Sequence, residues 1–153
     1  MKYAVMAVLC AVLCAQPVVA SQPASSRFLI GNWTCTYHAG KTSMKYTATF
    51  SYDLGGNWMR ERDWWTGGGA DEGMFTYDPK RGGWTAVILE QEGATVVFHA
   101  AGSNPNYITY RSVFPDASMT EIFERTSSTK YALHFTQTAH GKTIESNDTC
   151  VKS

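Results

Sequence analysis

The clearest pattern in the chain is a strict alternation of apolar and polar side chains between residues 44 and 53. The even positions are apolar or aromatic: Met44, Tyr46, Ala48, Phe50 and Tyr52. The odd positions are all lysine, threonine, serine or aspartate. Because successive side chains of a β-strand point to opposite faces, this alternation predicts a strand with one buried and one solvated face.

Turn-forming residues divide the rest of the chain into similar short segments. Glycine, asparagine, aspartate and proline recur at short intervals, and the segments between them are rich in β-branched and aromatic residues. These segments predict ten strands, at about 28–38, 42–53, 58–66, 73–78, 84–91, 94–101, 107–114, 118–126, 129–139 and 142–151.

Ten short strands joined by tight turns predict an all-β fold, and closing them into an up-and-down barrel removes the two exposed edges of an open sheet. Cys35 lies on the first predicted strand and Cys150 on the last. A disulfide between them needs Cα atoms within about 7 Å, which is met where these strands pair. A Greek-key β-sandwich is the alternative. We therefore predict a closed antiparallel barrel of about ten strands, forming a single domain over residues 28–153.

The first twenty residues carry a different pattern, that of a secretory signal peptide. Lys2 precedes an apolar run from Tyr3 to Ala15, and Val18 and Ala20 occupy the −3 and −1 positions of a cleavage site. The run is shorter than the roughly 20 apolar residues that span a bilayer. We therefore expect a signal peptide at 1–20, a flexible leader at 21–27 and a secreted or periplasmic protein. An uncleaved anchor helix is the alternative.

The cysteines indicate one disulfide, and the charge balance argues against one class of partner. Signal cleavage would remove Cys10 and Cys14 and leave Cys35 and Cys150 as one pair in an oxidising compartment. Thirteen basic residues balance thirteen acidic ones among 153, which argues against a nucleic-acid partner because such partners need a basic surface. No later segment is apolar enough for stable membrane insertion after signal cleavage. The sequence assigns no oligomeric state.

Short motifs in the predicted strands resemble those of lipocalin-like barrels. Gly31-Asn32-Trp33 forms a Gly-x-Trp at the start of the first strand, and Tyr77-Asp78-Pro79 is followed by Gly83-Trp84. The first motif resembles the opening of lipocalins and of nitrobindin-type barrels. The second resembles a hairpin of small bacterial lipocalin-like proteins of unknown function. The resemblance implies that Trp33 closes one end of a barrel whose lumen can hold a small molecule.

The resemblance to nitrobindin-type barrels also implies an alternative function, haem binding through a histidine near the end of the chain. The last predicted strand contains no histidine, so the candidate ligands are His134 on the preceding strand and His140 in the following turn. A haem ligand also needs an apolar pocket and a group that orients its imidazole. We expect no cofactor, with haem as the alternative.

The search for catalytic chemistry favours a binding protein over an enzyme, because no nucleophile elbow, HExxH sequence or P-loop occurs. Two cysteines far apart in the chain also do not predict a metal site. Glu61 and Asp63 share one face of a predicted strand, and such a pair could serve acid–base catalysis. The preferred interpretation is a solvated strand face, because mixed charges are common on the surfaces of antiparallel sheets.

The opposite face of the same strand carries Arg60 and Arg62. Pairing Tyr52 with Met59 across the hairpin would place these arginines outside the barrel. Pairing Tyr52 with Arg60 would place them in the lumen, where they would suit an anionic ligand. The residues of the turn leave both registers open.

The leading hypothesis is a barrel that binds a small, largely apolar molecule. Tyr46, Phe50 and Tyr52 are the predicted lumen residues, because their strand alternates so cleanly. Arg111 and Arg125 lie within strands near aromatic residues and are further lumen candidates. Because a buried charge needs a partner, they are either exposed or paired, for instance with an acidic group of a ligand. A ten-stranded barrel is wide enough to leave a cavity. A structural or interaction protein with a filled core is the third hypothesis.

Overall fold

The chain folds into a closed barrel of ten antiparallel strands. The computed structural model describes residues 24–104, 106–116 and 118–153, so the predicted signal peptide lies outside the described residues. Each strand pairs with its neighbours in sequence, and the last pairs with the first. The strands are β1 (Gly31–Ala39), β2 (Thr42–Asp53), β3 (Trp58–Trp65), β4 (Ala70–Asp78), β5 (Gly83–Glu90), β6 (Thr95–Ala101), β7 (Tyr107–Phe114), β8 (Met119–Arg125), β9 (Lys130–Ala139) and β10 (Lys142–Lys152).

This architecture confirms the predicted fold class, a lipocalin-like closed barrel, and excludes the Greek-key sandwich. Two strands begin three residues away from the expected position, for local reasons, and the other starts differ by one residue at most. The expected start of β1 belongs instead to a 3₁₀ helix, Ala24–Leu29, so the strand begins at Gly31. β4 begins at Ala70, earlier than expected, because Gly68 and Gly69 adopt φ angles of 90° and 106° and complete a tight turn.

The seam between the first and last strands is covalently joined. Cys35 lies directly opposite Cys150 in the β1–β10 register, with Cα atoms 4.1 Å apart and a disulfide between the side chains. Both cysteines are fully buried. Their sulfur atoms lie 3.7 Å from the hydroxyls of Tyr131 and Tyr46, respectively. The predicted disulfide is therefore confirmed, and it lies on the inner side of the barrel wall.

The N-terminal 3₁₀ helix covers one end of the barrel. Trp33 is fully buried beneath it and donates a hydrogen bond from Nε1 to the carbonyl oxygen of Leu29, at 2.6 Å. Phe28 meets the Trp33 ring edge to face, with 6.3 Å between the centroids. Lys152 Nζ donates to the carbonyl oxygen of Phe28 at 2.9 Å and lies 5.3 Å from the Trp33 centroid. Trp33 therefore occupies the closed end, where the resemblance implies it.

The core next to this end is largely aromatic. Tyr131 lies at the centre of a group of rings, with centroids 4.8 Å from Trp33, 5.1 Å from Phe123 and 6.3 Å from Phe50. Such offset and edge-on contacts add to the free energy of burying the rings. No helix among the described residues is long and apolar enough to cross a membrane.

Removing the disulfide should destabilise the barrel. The bond joins residues 115 apart in sequence, and loop entropy predicts a loss of about 5 kcal/mol in the free energy of unfolding for Cys35→Ala/Cys150→Ala. Urea denaturation measures this loss. Wild-type protein in reductant is the control and should unfold near the midpoint of the double variant. A double variant as stable as oxidised wild-type protein would contradict a stabilising role for the bond.

Candidate functional site

The lumen contains two adjoining cavities. The inner cavity, about 40 Å³, lies above the closed end and is lined mainly by apolar side chains, among them Phe50, Phe75 and Phe123. The mouth cavity, about 430 Å³, lies at the open end between β5, β6, β8 and β9. Glu121 lines both cavities, so its side chain lies where they adjoin.

Two of the three β2 residues predicted to line the lumen point into the barrel. Phe50 is buried beside the inner cavity, and the buried Tyr46 donates from its hydroxyl to Asp148 Oδ2 at 2.6 Å. Tyr52 is instead 43% exposed. The reason is that β2 extends beyond β1 at the closed end, since Phe50 already pairs with Gly31, the first residue of β1. The prediction for Tyr52 is corrected accordingly.

Neither arginine predicted to line the lumen contacts the two cavities. Arg111 is exposed on the outer face of β7, because the buried Tyr110 and Ser112 on either side take the inward positions. Arg125 is the last residue of β8 at the closed end, where its guanidinium lies 4.4 Å from the centre of the Phe28 ring. Both predictions are corrected: Arg111 has the outward parity, and Arg125 lies below the cavities.

The candidate haem ligands lie away from the lumen. All four histidines of the chain are exposed. His134 is on the outer face of β9, with Nδ1 2.5 Å from Asn147 Oδ1 and Nε2 3.9 Å from Glu124 Oε2. His140 lies in the β9–β10 turn with a φ of 51°. These side chains do not fit a haem held inside the barrel.

The inner face of β3 carries carboxylates. Tyr52 pairs with Met59 and Asp53 with Trp58, which decides between the two registers left open by the sequence. Met59 is buried and therefore points into the barrel. Glu61 and Asp63 follow it at every second position of β3, so their side chains point to the same side. The interpretation of these two acids as a solvated face is therefore corrected.

The arginines of β3 lie outside the barrel in a small network of ion pairs. Arg60 Nη2 is 2.5 Å from Asp53 Oδ2, and Arg60 Nε is 3.3 Å from Glu72 Oε1. Arg62 Nε is 3.5 Å from Glu72 Oε2. These guanidinium groups are paired with carboxylates outside the barrel and are not available to an anion in the lumen.

Gly73 makes room for the Glu61 carboxylate. The two residues pair directly across β3 and β4. A Cβ atom at Gly73 would lie 3.0 Å from Glu61 Oε2 and 2.7 Å from Phe75 Cε2, which is closer than real side chains approach. The missing side chain therefore allows an acid and an aromatic ring to pack side by side on the lumen wall.

Inward-facing acids extend around much of the lumen. Asp148 accepts the hydrogen bond from Tyr46, and Asp71 Oδ2 accepts one from Trp65 Nε1 at 2.9 Å. Asp63 Oδ1 is buried, and no described residue donates a hydrogen bond to it. No group of three or more His, Cys, Asp or Glu side chains in the described ranges is arranged to hold a metal ion. The acids with inward parity are Glu61, Asp63, Asp71, Glu90, Glu121 and Asp148, and of these Glu90 is exposed at the mouth.

Burial keeps several of these carboxyls protonated to a higher pH than usual. Burial, together with nearby negative charges, raises the pKa of Asp63 to about 8 and that of Glu121 to about 7. The same two causes raise the pKa of Glu61 well above its ordinary range. Burial also raises the pKa of Asp148, against the opposing effects of the Tyr46 hydrogen bond and the nearby His38. At neutral pH, Asp63 is therefore mainly protonated, and Glu121 is divided between its neutral and its ionised form.

Sequence reasoning missed Glu121 and Asp148 as lumen residues, although signals for both were present. Asp148 lies two positions before Cys150, so a disulfide on the inner wall gives it the inward parity. Glu121 has the same relation to the buried Phe123. A disulfide on the inner wall fixes one inward position on each of the two strands that it joins. The other inward positions of those two strands follow at every second residue.

Comparisons with known proteins give a partial match to a solved structure. No family profile matches the sequence, and no curated protein matches it. Among solved structures, the siderocalin Ex-FABP, described as functioning through dual ligand specificities, aligns with 82% of this chain and 74% of its own, at 14% identity and a TM-score of 0.41. The lipocalin-like architecture of this chain is defined by its own strand order and closure.

The free energy of unfolding should fall as the pH rises from about 4.5 to 8. Unfolded carboxyl groups ionise near pH 4, whereas Glu121 and Asp63 in the barrel release their protons near 7 and 8. The folded state binds more protons over this interval, so the stability present at low pH is lost as these groups ionise. Urea denaturation at stepped pH measures the slope.

A single isosteric substitution tests the cause of this slope. Glu121→Gln should reduce the loss of stability between pH 4.5 and 8 by about 2–3 kcal/mol. The control Glu145→Gln removes the same charge from an exposed position on β10 and should leave the slope unchanged. Stability that stays constant or rises toward pH 8 in wild-type protein would refute the explanation.

Proposed function

We propose that the protein is an exported, non-enzymatic barrel that binds a small, largely apolar molecule in its lumen. The observation that carries this proposal is the mouth cavity. Its volume of about 430 Å³ falls within the range of roughly 300–1,000 Å³ typical of small-molecule sites. Ile88, Val96, Phe98 and Met119 give it apolar walls, and Glu121 provides a polar group at its inner end.

The inner cavity defines how deep a ligand reaches. At about 40 Å³ it has room for a few water-sized groups. The body of the ligand therefore belongs in the mouth cavity, and its deepest atoms lie near Glu121 and the ring of Tyr110. An apolar site with a few polar groups at one end fixes the orientation of a ligand as well as its depth.

The packing supports ligand binding over a filled core. Close ring contacts around Tyr131 fill the barrel near the closed end. The mouth half is different, because several buried apolar side chains there, including Val96 and Phe98, also line the mouth cavity. A protein with only a structural role gains nothing from such a cavity, since closing it would stabilise the fold.

Export is supported by two features of different kinds. The N-terminal segment has the charge, apolar run and small residues of a signal peptide. The Cys35–Cys150 disulfide is of a kind that persists in oxidising compartments and is rare in the cytosol. A secreted or periplasmic binding protein accounts for both features.

Filling the mouth cavity should weaken the binding of an apolar probe. Val96→Phe adds volume at a buried wall position, so the affinity for the neutral fluorescent dye Nile red should fall about tenfold, the equivalent of about 1.4 kcal/mol. The matched control Val113→Phe adds the same atoms at a position that is 51% exposed and should leave the affinity unchanged. Fluorescence titration measures both.

Phe50→Trp, beside the inner cavity, separates ligand binding from a filled core. If the lumen accepts ligands, this variant also weakens dye binding. If the core is simply filled, wild-type protein binds no dye, and the substitution only lowers the free energy of unfolding, by about 1–3 kcal/mol. The second outcome would refute the proposed function.

The mature protein should begin at Ser21. Val18 and Ala20 provide the small residues that a signal peptidase recognises at −3 and −1. N-terminal sequencing of protein recovered from the exported fraction of its host measures the cleavage point. Retention of Met1, or a lipid attached at Cys14, would contradict this processing.

A further inference from the structure

Two carboxylates enter the lumen from opposite walls. β3 and β8 lie five strands apart around the ten-stranded barrel, whether counted through β2, β1, β10 and β9 or through β4, β5, β6 and β7. Glu61 on β3 and Glu121 on β8 both line the inner cavity. Glu121 also lines the mouth cavity, so a ligand in the mouth would meet Glu121 at its inner end, and Glu61 lies beyond it in the inner cavity.

Neither carboxylate has a partner of opposite charge. Across the described ranges, Glu61 and Glu121 form no hydrogen bond or ion pair with a protein side chain, although both are enclosed by the barrel. The basic side chains with inward strand parity lie at the two ends of the barrel. Lys142 is exposed at the mouth, and Arg125 and Lys152 lie over aromatic rings at the closed end. The middle of the lumen is therefore acidic.

An acidic site of this kind favours a positively charged group. Burial of an unpaired carboxylate costs free energy, and here burial and neighbouring charges raise the pKa of both glutamates. A cation between them would favour the ionised form again. It would also receive charge-assisted hydrogen bonds, which are roughly twice as strong as neutral ones. An anion would instead add to the existing repulsion.

The surroundings of the pair favour an organic cation. Phe50, Phe75 and Tyr110 line the cavity beside the two glutamates. Aromatic walls attract an ammonium group through their ring faces and accommodate a hydrocarbon body. A divalent metal ion prefers a full shell of oxygen ligands, which these rings do not provide.

We propose that the lumen selects an organic cation, an ammonium group on an apolar body, with its charged head held between Glu61 and Glu121. This inference rests on the proposed ligand-binding function and gives the ligand its chemical class. The apolar body lies in the mouth cavity, and the ammonium group lies at the junction of the two cavities. The barrel then discriminates by charge at its inner end and by shape at its mouth.

Three ligands with eight carbon atoms each and different head groups test this inference. Isothermal titration calorimetry at neutral pH compares n-octylammonium, n-octanol and n-octanoate with the wild-type full-length mature protein. We expect octylammonium to bind about tenfold to a hundredfold more tightly than octanol, the range expected for a hydrogen-bonded charge. Octanoate should bind most weakly.

Variants of the two glutamates connect this preference with the proposed site. Glu61→Gln and Glu121→Gln keep the shape of the side chain, and each should reduce the affinity for octylammonium toward that for octanol. Circular dichroism and urea denaturation check that both variants are folded, and the ratio of the octylammonium affinity to the octanol affinity is the readout. Glu145→Gln, which removes an exposed charge from the outer wall, should behave as wild type for all three ligands.

The possible failures are distinguishable. Equal affinities for all three ligands, or a preference for octanoate, would overturn the inference and leave the proposed apolar site standing. Unchanged selectivity in both glutamine variants would overturn the assignment to Glu61 and Glu121. Saturable binding of calcium chloride alone that both variants abolish would identify a metal ion instead. If neither these ligands nor Nile red bind, the proposed function fails with the inference.

Discussion

The pairing of the first strand with the last is the constraint on which the rest of the structure depends. Once β1 and β10 are hydrogen-bonded and joined by Cys35–Cys150, no strand edge remains exposed, and every strand has one face toward a common interior. In each strand, the position of a residue then decides whether its side chain points into the lumen or toward solvent. The acids of β3, β4, β8 and β10 come together in the lumen because closure brings their inward faces together, although they are far apart in the sequence.

The strand count, the closure and the disulfide could be predicted from the sequence, because turn residues and alternation act locally and two cysteines allow one pairing. The orientation of β3 could not be predicted, because it depends on how many residues of the 54–57 turn lie outside the sheet. Tyr52 shows a second difficulty. The Tyr52 side chain has the inward parity of β2. However, β1 begins opposite Phe50, so no β1 residue lies beside Tyr52 to cover it.

The acidic lumen was the least visible part of the site. A carboxylate on an alternating strand is usually solvated, and propensity alone favours that interpretation for Glu61 and Asp63. What reverses it is a non-local fact, the burial of Met59 at the same parity. Arg111 was misplaced for the related reason that aromatic neighbours were taken as a sign of the interior, whereas Tyr110 and Arg111 are adjacent and so face opposite sides.

The β-bulge between Val97 and Phe98 gives the wall an uneven mechanical strength. β6 and β7 pair at only three register positions, Val97 with Phe114, Phe98 with Ser112 and His99 with Arg111. The β1–β10 seam, by contrast, is held by a covalent bond as well as by a longer ladder. Transient widening of the barrel, which requires breaking ladder hydrogen bonds, therefore concentrates at the bulged seam. β6 also forms part of the wall of the mouth cavity. The part of the wall that opens most easily therefore borders the route by which a molecule enters or leaves the mouth.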